Sequence, residues 1–239
     1  MRVDVWSDVV CPWCFVGLAN LDVALEGFEH AADVEVVLHS FQLDPQARTR
    51  TPEENVAGIA RKYGTSVGAI KARQAHIISL GAERGIDFRF DRQWSGNTFD
   101  AHRLLHLALE RGVQRDLKTR LGRATFTDGD PIGDHDTLRK AAADVGLDPA
   151  EVDEVLAGDA YAEDVLADIA AAHQMDVTGV PFFVVDGRLA LSGAQPPELL
   201  GKVLQRAWDE SHPVLEQIEG LADGECGLDQ DGAGGAGCV

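Results

Sequence analysis

Cys11-Pro12-Trp13-Cys14 sits where strand character gives way to helix character. Upstream, Val3 and Val5 alternate with polar residues and the apolar Trp6 follows; downstream, from Phe15 to Leu25, apolar side chains recur at helical spacing. The spacing predicts a short strand that runs into a CxxC, which opens a helix. Two cysteines three residues apart on a first helical turn share one face, near enough for a disulfide to form and break without unfolding. Pro12 suits that turn, because its missing N–H has no intrahelical partner there and its φ is already helical. Free backbone N–H groups and the positive end of the helix dipole favour a thiolate on Cys11. Cys11 is therefore the expected nucleophile. Cys14, one turn in, is the expected buried thiol that resolves a mixed disulfide. Between them, Pro12 and Trp13 carry neither charge nor imidazole, so the motif leaves the redox direction open.

CxxC is also half of a common zinc site. Completing one needs a second close pair, but the other cysteines, Cys226 and Cys238, lie far away with eleven residues between them. Dithiol chemistry is the expectation, with a metal-binding or redox-sensing protein as a rival. His102 and His106 stand at i, i+4 without a third ligand, so a helix-packing role is preferred to a metal role. Asp128-Gly129-Asp130 has the first acids of a calcium loop and none of the later spacing. No metal is expected.

A chain of 239 residues can bury a full core, as one large domain or as one domain with a sizeable insertion. Four cysteines are too few for a disulfide scaffold. No stretch approaches the roughly 18–20 apolar residues of a membrane span, and Met1-Arg2-Val3-Asp4-Val5 lacks the basic-then-apolar pattern of a leader. A cytoplasmic protein is expected. Forty acidic against 21 basic residues give a formal charge of −19, so the surface repels nucleic acid and anionic membranes, and neither is an expected partner. Such a surface would also suit high salt.

Along the chain, Asp33 to Phe41 alternates and is β-branched, a second strand that Leu43-Asp44-Pro45 ends. The pattern then turns helical up to about Met175. Thr51-Pro52-Glu53-Glu54 is a capping box, and Asp148-Pro149-Ala150-Glu151 repeats the device. Helices are predicted from Ser66 to about Arg84, Thr98 to Arg111, Gln114 to Thr125, Asp136 to Val145 and Tyr161 to His173, with a short extended piece at Ile86–Phe90 and a loop at Trp94–Asn97. Strand character returns in Phe182–Val185 and Leu189–Leu191 around an Asp186-Gly187 turn, a β-hairpin. A last helix begins near Pro197 with Leu199, Leu200, Val203, Leu204 and Ala207 toward the sheet. The order is βαβ, a helical block, then ββα. From Leu221 the tail is rich in Gly and Asp and is expected to be flexible.

With CPWC after the first strand, a helical block, and Gly179-Val180-Pro181 ahead of the hairpin, the chain resembles the thioredoxin superfamily and, within it, DsbA-like proteins. Ser7–Cys14, Phe41–Pro45, Asn97–Leu104 and Gly179–Phe183 are most similar to the FrnE-type, or 2-hydroxychromene-2-carboxylate isomerase-like, branch. The resemblance implies an α/β thioredoxin-like fold: residues 1–45 and 176–212 form the thioredoxin-like domain, residues 46–175 an inserted helical domain, and 213–239 a tail. It implies a cis peptide before Pro181, with Val180 and Pro181 positioning a substrate chain beside Cys11. From the residues alone, an ordinary trans proline would serve equally.

Relatives that use glutathione for isomerisation or conjugation carry serine in place of the first cysteine and a Ser-Asp-like pair before the last helix. Here position 11 is Cys and the stretch reads Ser192-Gly193-Ala194-Gln195. Both departures favour thiol-disulfide exchange over a glutathione-dependent isomerase or transferase of small aromatic or polyketide substrates, which stays as an alternative. No tightly bound cofactor is implied; glutathione is a candidate redox partner. Cysteine-containing proteins or small thiols are the expected partners, and a homodimer is left open.

The branch also resembles this chain in a second cysteine pair near the C-terminus. A Gly-rich stretch of about a dozen residues spans roughly 20 Å, so Cys226 and Cys238 could meet each other as a second redox pair or stay idle. Asn97 caps its helix or faces a substrate pocket together with His102, and Trp13 forms an apolar rim for the dithiol.

Overall fold

A computed structural model describes residues 1–213. Cys226 and Cys238, and with them the expected second pair, lie outside the described residues. The chain opens with β1 (Arg2–Ser7), α1 (Pro12–Glu26) and β2 (Glu35–Ser40). β1 and β2 pair in parallel from Arg2 opposite Glu35 to Ser7 opposite Ser40, as a strand-helix-strand unit requires. After the helices come β3 (Phe182–Val185) and β4 (Leu189–Ser192). β3 runs antiparallel to β1, with Val3 opposite Val185 and Trp6 opposite Phe182, so the sheet order is β2-β1-β3-β4. β1, flanked on both sides, is the central strand on which the cysteines follow. In the hairpin, Val185 stands opposite Leu189 across a three-residue connection in which Asp186 and Gly187 both take positive φ, 48° and 66°, and the Arg188 N–H donates to the Val185 carbonyl at 3.1 Å.

Val3, Val5 and Phe183 are fully buried between α1 and the final helix, α9 (Pro197–Ser211). Leu18 and Leu21 meet Leu200, Leu204 and Ala207 there. The expected inward set on α9 is narrower: Leu199 is 38% exposed and Val203 only half-buried. Residues 200, 204 and 207 form the stripe at helical period, and position 199 lies a 100° step off it.

Between β2 and β3 lie α2 (Pro52–Lys62), α3 (Val67–Ala82), α4 (Phe99–Glu110), α5 (Gln114–Arg123), α6 (His135–Asp144), α7 (Pro149–Ala157) and α8 (Ala162–Gln174). Thr51 and Glu54 form the reciprocal capping box on α2. At α7 the device is only half made: the Asp148 carboxylate accepts the Ala150 N–H at 2.8 Å, while Glu151 pairs with Arg111 instead. The α5 helix stops two residues early in a π turn, Ala124–Asp128, closed by Gly129 at φ 78°. Ile86–Phe90 forms no strand. Its Arg89 N–H donates to the Phe126 carbonyl at 2.7 Å, and Phe88 and Phe90 close on the Phe126 ring, so its apolar side chains cover the end of α5.

The helices share a core of Leu104, Leu107, Leu117, Leu121 and Leu138, and Val9 belongs to it. The residues leading to the CxxC are therefore anchored in the helical block on one side and continue the central strand on the other.

Candidate active site

Cys11 is the N-cap of α1, with an extended backbone (φ −95°, ψ 108°), and its carbonyl accepts the Cys14 N–H at 3.1 Å. Both cysteines are free thiols and both are buried, Cys14 completely and Cys11 with 4% of its surface open. That opening faces a cavity of about 680 Å³ lined by Cys11, Pro12 and Trp13 together with α2, α3 and the Phe90–Gly96 loop. Trp13 is half-buried on its wall and lies 6.2 Å, centre to centre, from the His76 ring of α3.

The Val180–Pro181 peptide bond is cis, and the Cys11 thiol donates toward the Val180 carbonyl at 3.4 Å. α1 can come this near because position 17 is glycine: a Cβ there would stand 2.9 Å from Pro181 Cγ. The Ser192–Gln195 stretch is tied to its surroundings through backbone groups, with Gly193 N–H donating to the Pro181 carbonyl at 2.8 Å and Asn20 donating to the Gln195 carbonyl at 3.0 Å.

Behind the dithiol lies a buried polar cluster. Asp8 is completely buried, its carboxylate accepting the Leu43 N–H at 2.8 Å and meeting the His102 Nε2 at 3.3 Å. Lys118, from α5, is 1% exposed, and among the described residues its ammonium makes no hydrogen bond, lying 5.1 Å from the Phe15 ring centre. A buried cation without a hydrogen-bond partner is costly unless charge nearby compensates it.

The two thiols are driven apart. The hydrogen bond from Cys14 lowers the Cys11 pKa most; burial opposes it, the Cys14 backbone N–H assists, the Asp8 charge opposes and Lys118 assists. Burial pushes Cys14 well above its usual value, and donating to Cys11 and facing its negative charge push it further. Burial would raise Asp8, but the hydrogen bond and charge of His102, the Leu43 N–H and Lys118 outweigh it and hold the carboxyl low. Burial lowers Lys118 against the pull of Cys14, Asp8 and Cys11. The arrangement can present a thiolate at position 11 and keep the proton on Cys14.

Two residues expected at a pocket lie elsewhere. Asn97 accepts the Phe99 N–H at 2.8 Å and donates to the Pro45 carbonyl at 2.8 Å, beside a separate hollow it shares with Gln42 and Asp100. It fixes the start of α4, which has Thr98 at its N-cap, rather than overhanging the CxxC. His102 is 1% exposed and serves Asp8 from behind. His106 turns to Asp168 at 3.1 Å, so the two histidines of α4 have different carboxylate partners.

Sequence reasoning singles out neither Lys118 nor the charge of Asp8. A signal exists: Gln114, Lys118 and Gly122 follow at i, i+4, i+8, with a lysine on the inward-facing side of α5 where only apolar or small residues are otherwise comfortable.

The chain matches the model of the DSBA-like thioredoxin domain over residues 2–205. It belongs to the DSBA-like thioredoxin domain family. Similarity to known proteins runs along nearly the whole length. Protein YwbO of Bacillus subtilis (strain 168) is 30% identical over 206 residues, covering 85% of this chain and 96% of YwbO. The crystal structure of a probable DsbA oxidoreductase from Streptomyces coelicolor is 40% identical and superposes with a TM-score of 0.84, covering 97% of this chain and all of that one. A 2-hydroxychromene-2-carboxylate isomerase shares the fold at 14% identity and a TM-score of 0.64, covering 88% of this chain and 98% of the isomerase. The expected DsbA-like thioredoxin fold and family stand, and the family is one of thiol oxidoreductases. Among the described residues no helix is long and apolar enough to cross a membrane.

Proposed function

We propose that this protein is a thiol-disulfide oxidoreductase that exchanges dithiol and disulfide through Cys11 and Cys14. The opposite displacement of the two thiol pKa values at one helix N-terminus carries the reading. The Cys11 thiolate attacks one sulfur of a substrate disulfide; the S–S bond breaks, a substrate thiolate leaves and takes a proton from water, and a mixed disulfide remains on Cys11. Cys14 then loses its proton and attacks Cys11 Sγ, releasing the second substrate thiol. The protein ends as the Cys11–Cys14 disulfide, two electrons having passed to the substrate, and the sequence reverses with a dithiol substrate. Val180 and Pro181 border the thiol and would hold the substrate chain; Pro12 and Trp13 shape the approach.

Protein cysteines or small thiols are the partners this chemistry takes, with glutathione as a candidate to recycle the pair and a cytoplasmic setting for it. No bound cofactor enters the balance. Position 11, a cysteine, weighs against the glutathione-dependent isomerase alternative.

Trapping tests the reading. With Cys14 replaced by Ala, a disulfide substrate should accumulate as a stable adduct on Cys11, seen by intact mass and released by dithiothreitol. Cys11→Ser should abolish exchange altogether. Exchange that survives Cys11→Ser would overturn the assignment.

A further inference from the structure

The charge of this chain is unevenly laid out. Between Gln46 and Ala82 stand six basic residues, Arg48, Arg50, Arg61, Lys62, Lys71 and Arg73, against two acids, Glu53 and Glu54, in a protein of formal charge −19. Arg48 and Arg50 precede α2, the other four stand on α2 and α3, and the segment forms one side of the cavity that opens on Cys11. Four of the six, Arg50, Arg61, Lys62 and Arg73, line the cavity, with Asp44 the one carboxylate on its wall.

Among the described residues these four cavity cations form no ion pair. Elsewhere arginines are paired, Arg103 with Asp100, Arg120 with Asp144 and Arg139 with Asp153. Among the described residues, the four in the cavity have no carboxylate oxygen within 4.0 Å. Arg50 and Arg61 also converge: their guanidinium nitrogens lie 3.3 and 3.9 Å from the point a Cβ on Gly58 would occupy. Four cations against one carboxylate along a cavity wall focus the field there and draw anions in. The remaining wall sets the apolar and aromatic Trp13, Ile59, Tyr63, Ile77 and Trp94 beside the uncharged polar Asn55, Gln74, Gln93 and Ser95.

Resting on the exchange chemistry above, we propose that this cavity selects small disulfides and thiols with two or more negative charges on a compact, partly aromatic body. Arg50, Arg61 and Arg73 hold the anionic groups and bring the sulfur to Cys11. The step is the one already balanced: the Cys11 thiolate displaces one thiolate of the anionic disulfide, and Cys14 displaces the other. The electrons come from the protein's dithiol and end in the two released thiols. The bound charges sit away from the reacting sulfur, so the arginines act by positioning.

Two aromatic disulfides that release coloured thiols serve as probes: 5,5′-dithiobis(2-nitrobenzoate), a dianion, and 4,4′-dithiodipyridine, which is neutral. The background is the full-length reduced chain with Cys226 and Cys238 changed to Ser. In Arg50→Gln/Arg61→Gln/Arg73→Gln, the second-order rate with the dianion should fall about tenfold or more, while the rate with the neutral probe stays within about twofold. Raising salt should slow the dianion in the parent and barely change it in the triple variant. Arg48→Gln/Lys71→Gln, on the same segment but outside the cavity, should leave the ratio of the two rates within about twofold. An unchanged dianion rate, an equal fall with both probes, or an equal loss in the Arg48/Lys71 variant would each overturn the cavity assignment alone. A parent that reacts with neither probe would overturn the dithiol reading beneath it.

Discussion

The ammonium of Lys118 stands 5.1 Å from the ring centre of Phe15, the residue directly after the second cysteine, and forms no hydrogen bond among the described residues. Its compensation comes from charge: Cys14, Asp8 and Cys11 each favour its protonated form against burial. Lys118→Met keeps the volume and removes the cation. The Cys11 thiolate should then titrate at higher pH, followed by thiolate absorbance near 240 nm. Stability should change by no more than about 1–2 kcal/mol, because relief of the Lys118 burial cost is offset by the loss of a cation that helps compensate the buried Asp8. An unmoved Cys11 titration would show that Lys118 has no electrostatic part in the site.

Two glycines let α1 sit between its neighbours. A Cβ on Gly122 would lie 2.1 Å from Cε1 of Phe15, and one on Gly17 would lie 2.9 Å from Cγ of Pro181. Either alanine should cost about 1–3 kcal/mol in denaturant unfolding, as overpacking does. Only Gly17→Ala should also slow disulfide exchange in the protein that remains folded, because it moves Pro181 relative to Cys11. Equal exchange rates in the two variants would contradict that placement.

A second, part-buried polar centre joins β1, β2 and α8. His39 bridges Asp168 at 2.6 Å and Asp4 at 2.7 Å and stacks on Trp6 at 4.4 Å; Asp168 also holds His106 and the Ser40 N–H. Burial alone would lower the His39 pKa, but Asp168 and then Asp4 raise it above its ordinary value. Burial alone would raise Asp168, but His106, His39 and the Ser40 N–H hold it far below. The raised histidine contributes fully below its unfolded value near 6.5 and loses that contribution as pH rises through its folded value. The lowered carboxyl contributes above its unfolded value near 3.9 and loses it as pH falls toward its folded value. Their shared ion pair should therefore contribute most between about pH 4 and 6.5. His39→Gln should cost about 1–2 kcal/mol near pH 5.5 and less near pH 9, read from urea midpoints at each pH. A cost independent of pH would contradict the pairing.

What was legible in the sequence was local. The strand before Cys11, the helix after it, the Thr51 capping box and the Asp186-Gly187 hairpin each rest on neighbours within a few residues, where spacing and turn chemistry decide. What was not legible joins distant positions. His102 reaches Asp8 across 94 residues, and Lys118 comes to the thiols only once α5 lies against Phe15. Asn97 bonds to the Pro45 carbonyl 52 residues away, which the capping pattern cannot reveal. Ile86–Phe90 has strand composition, yet Phe126 gives its rings a better burial than a sheet edge. The basic segment around α2 and α3 was present in the letters and hidden by summing charge over the whole chain.

Dithiol exchange at Cys11/Cys14 is decided by the reduction potential of the pair, measured in glutathione buffers on the full chain with Cys226 and Cys238 changed to Ser. One reversible couple is expected, with a two-electron dependence of about 30 mV per tenfold change in the ratio of oxidised to reduced forms. Iodoacetamide should alkylate Cys11 ahead of Cys14 in the reduced protein. The absence of a reversible couple, with Cys11 held as a stable glutathione adduct, would contradict it.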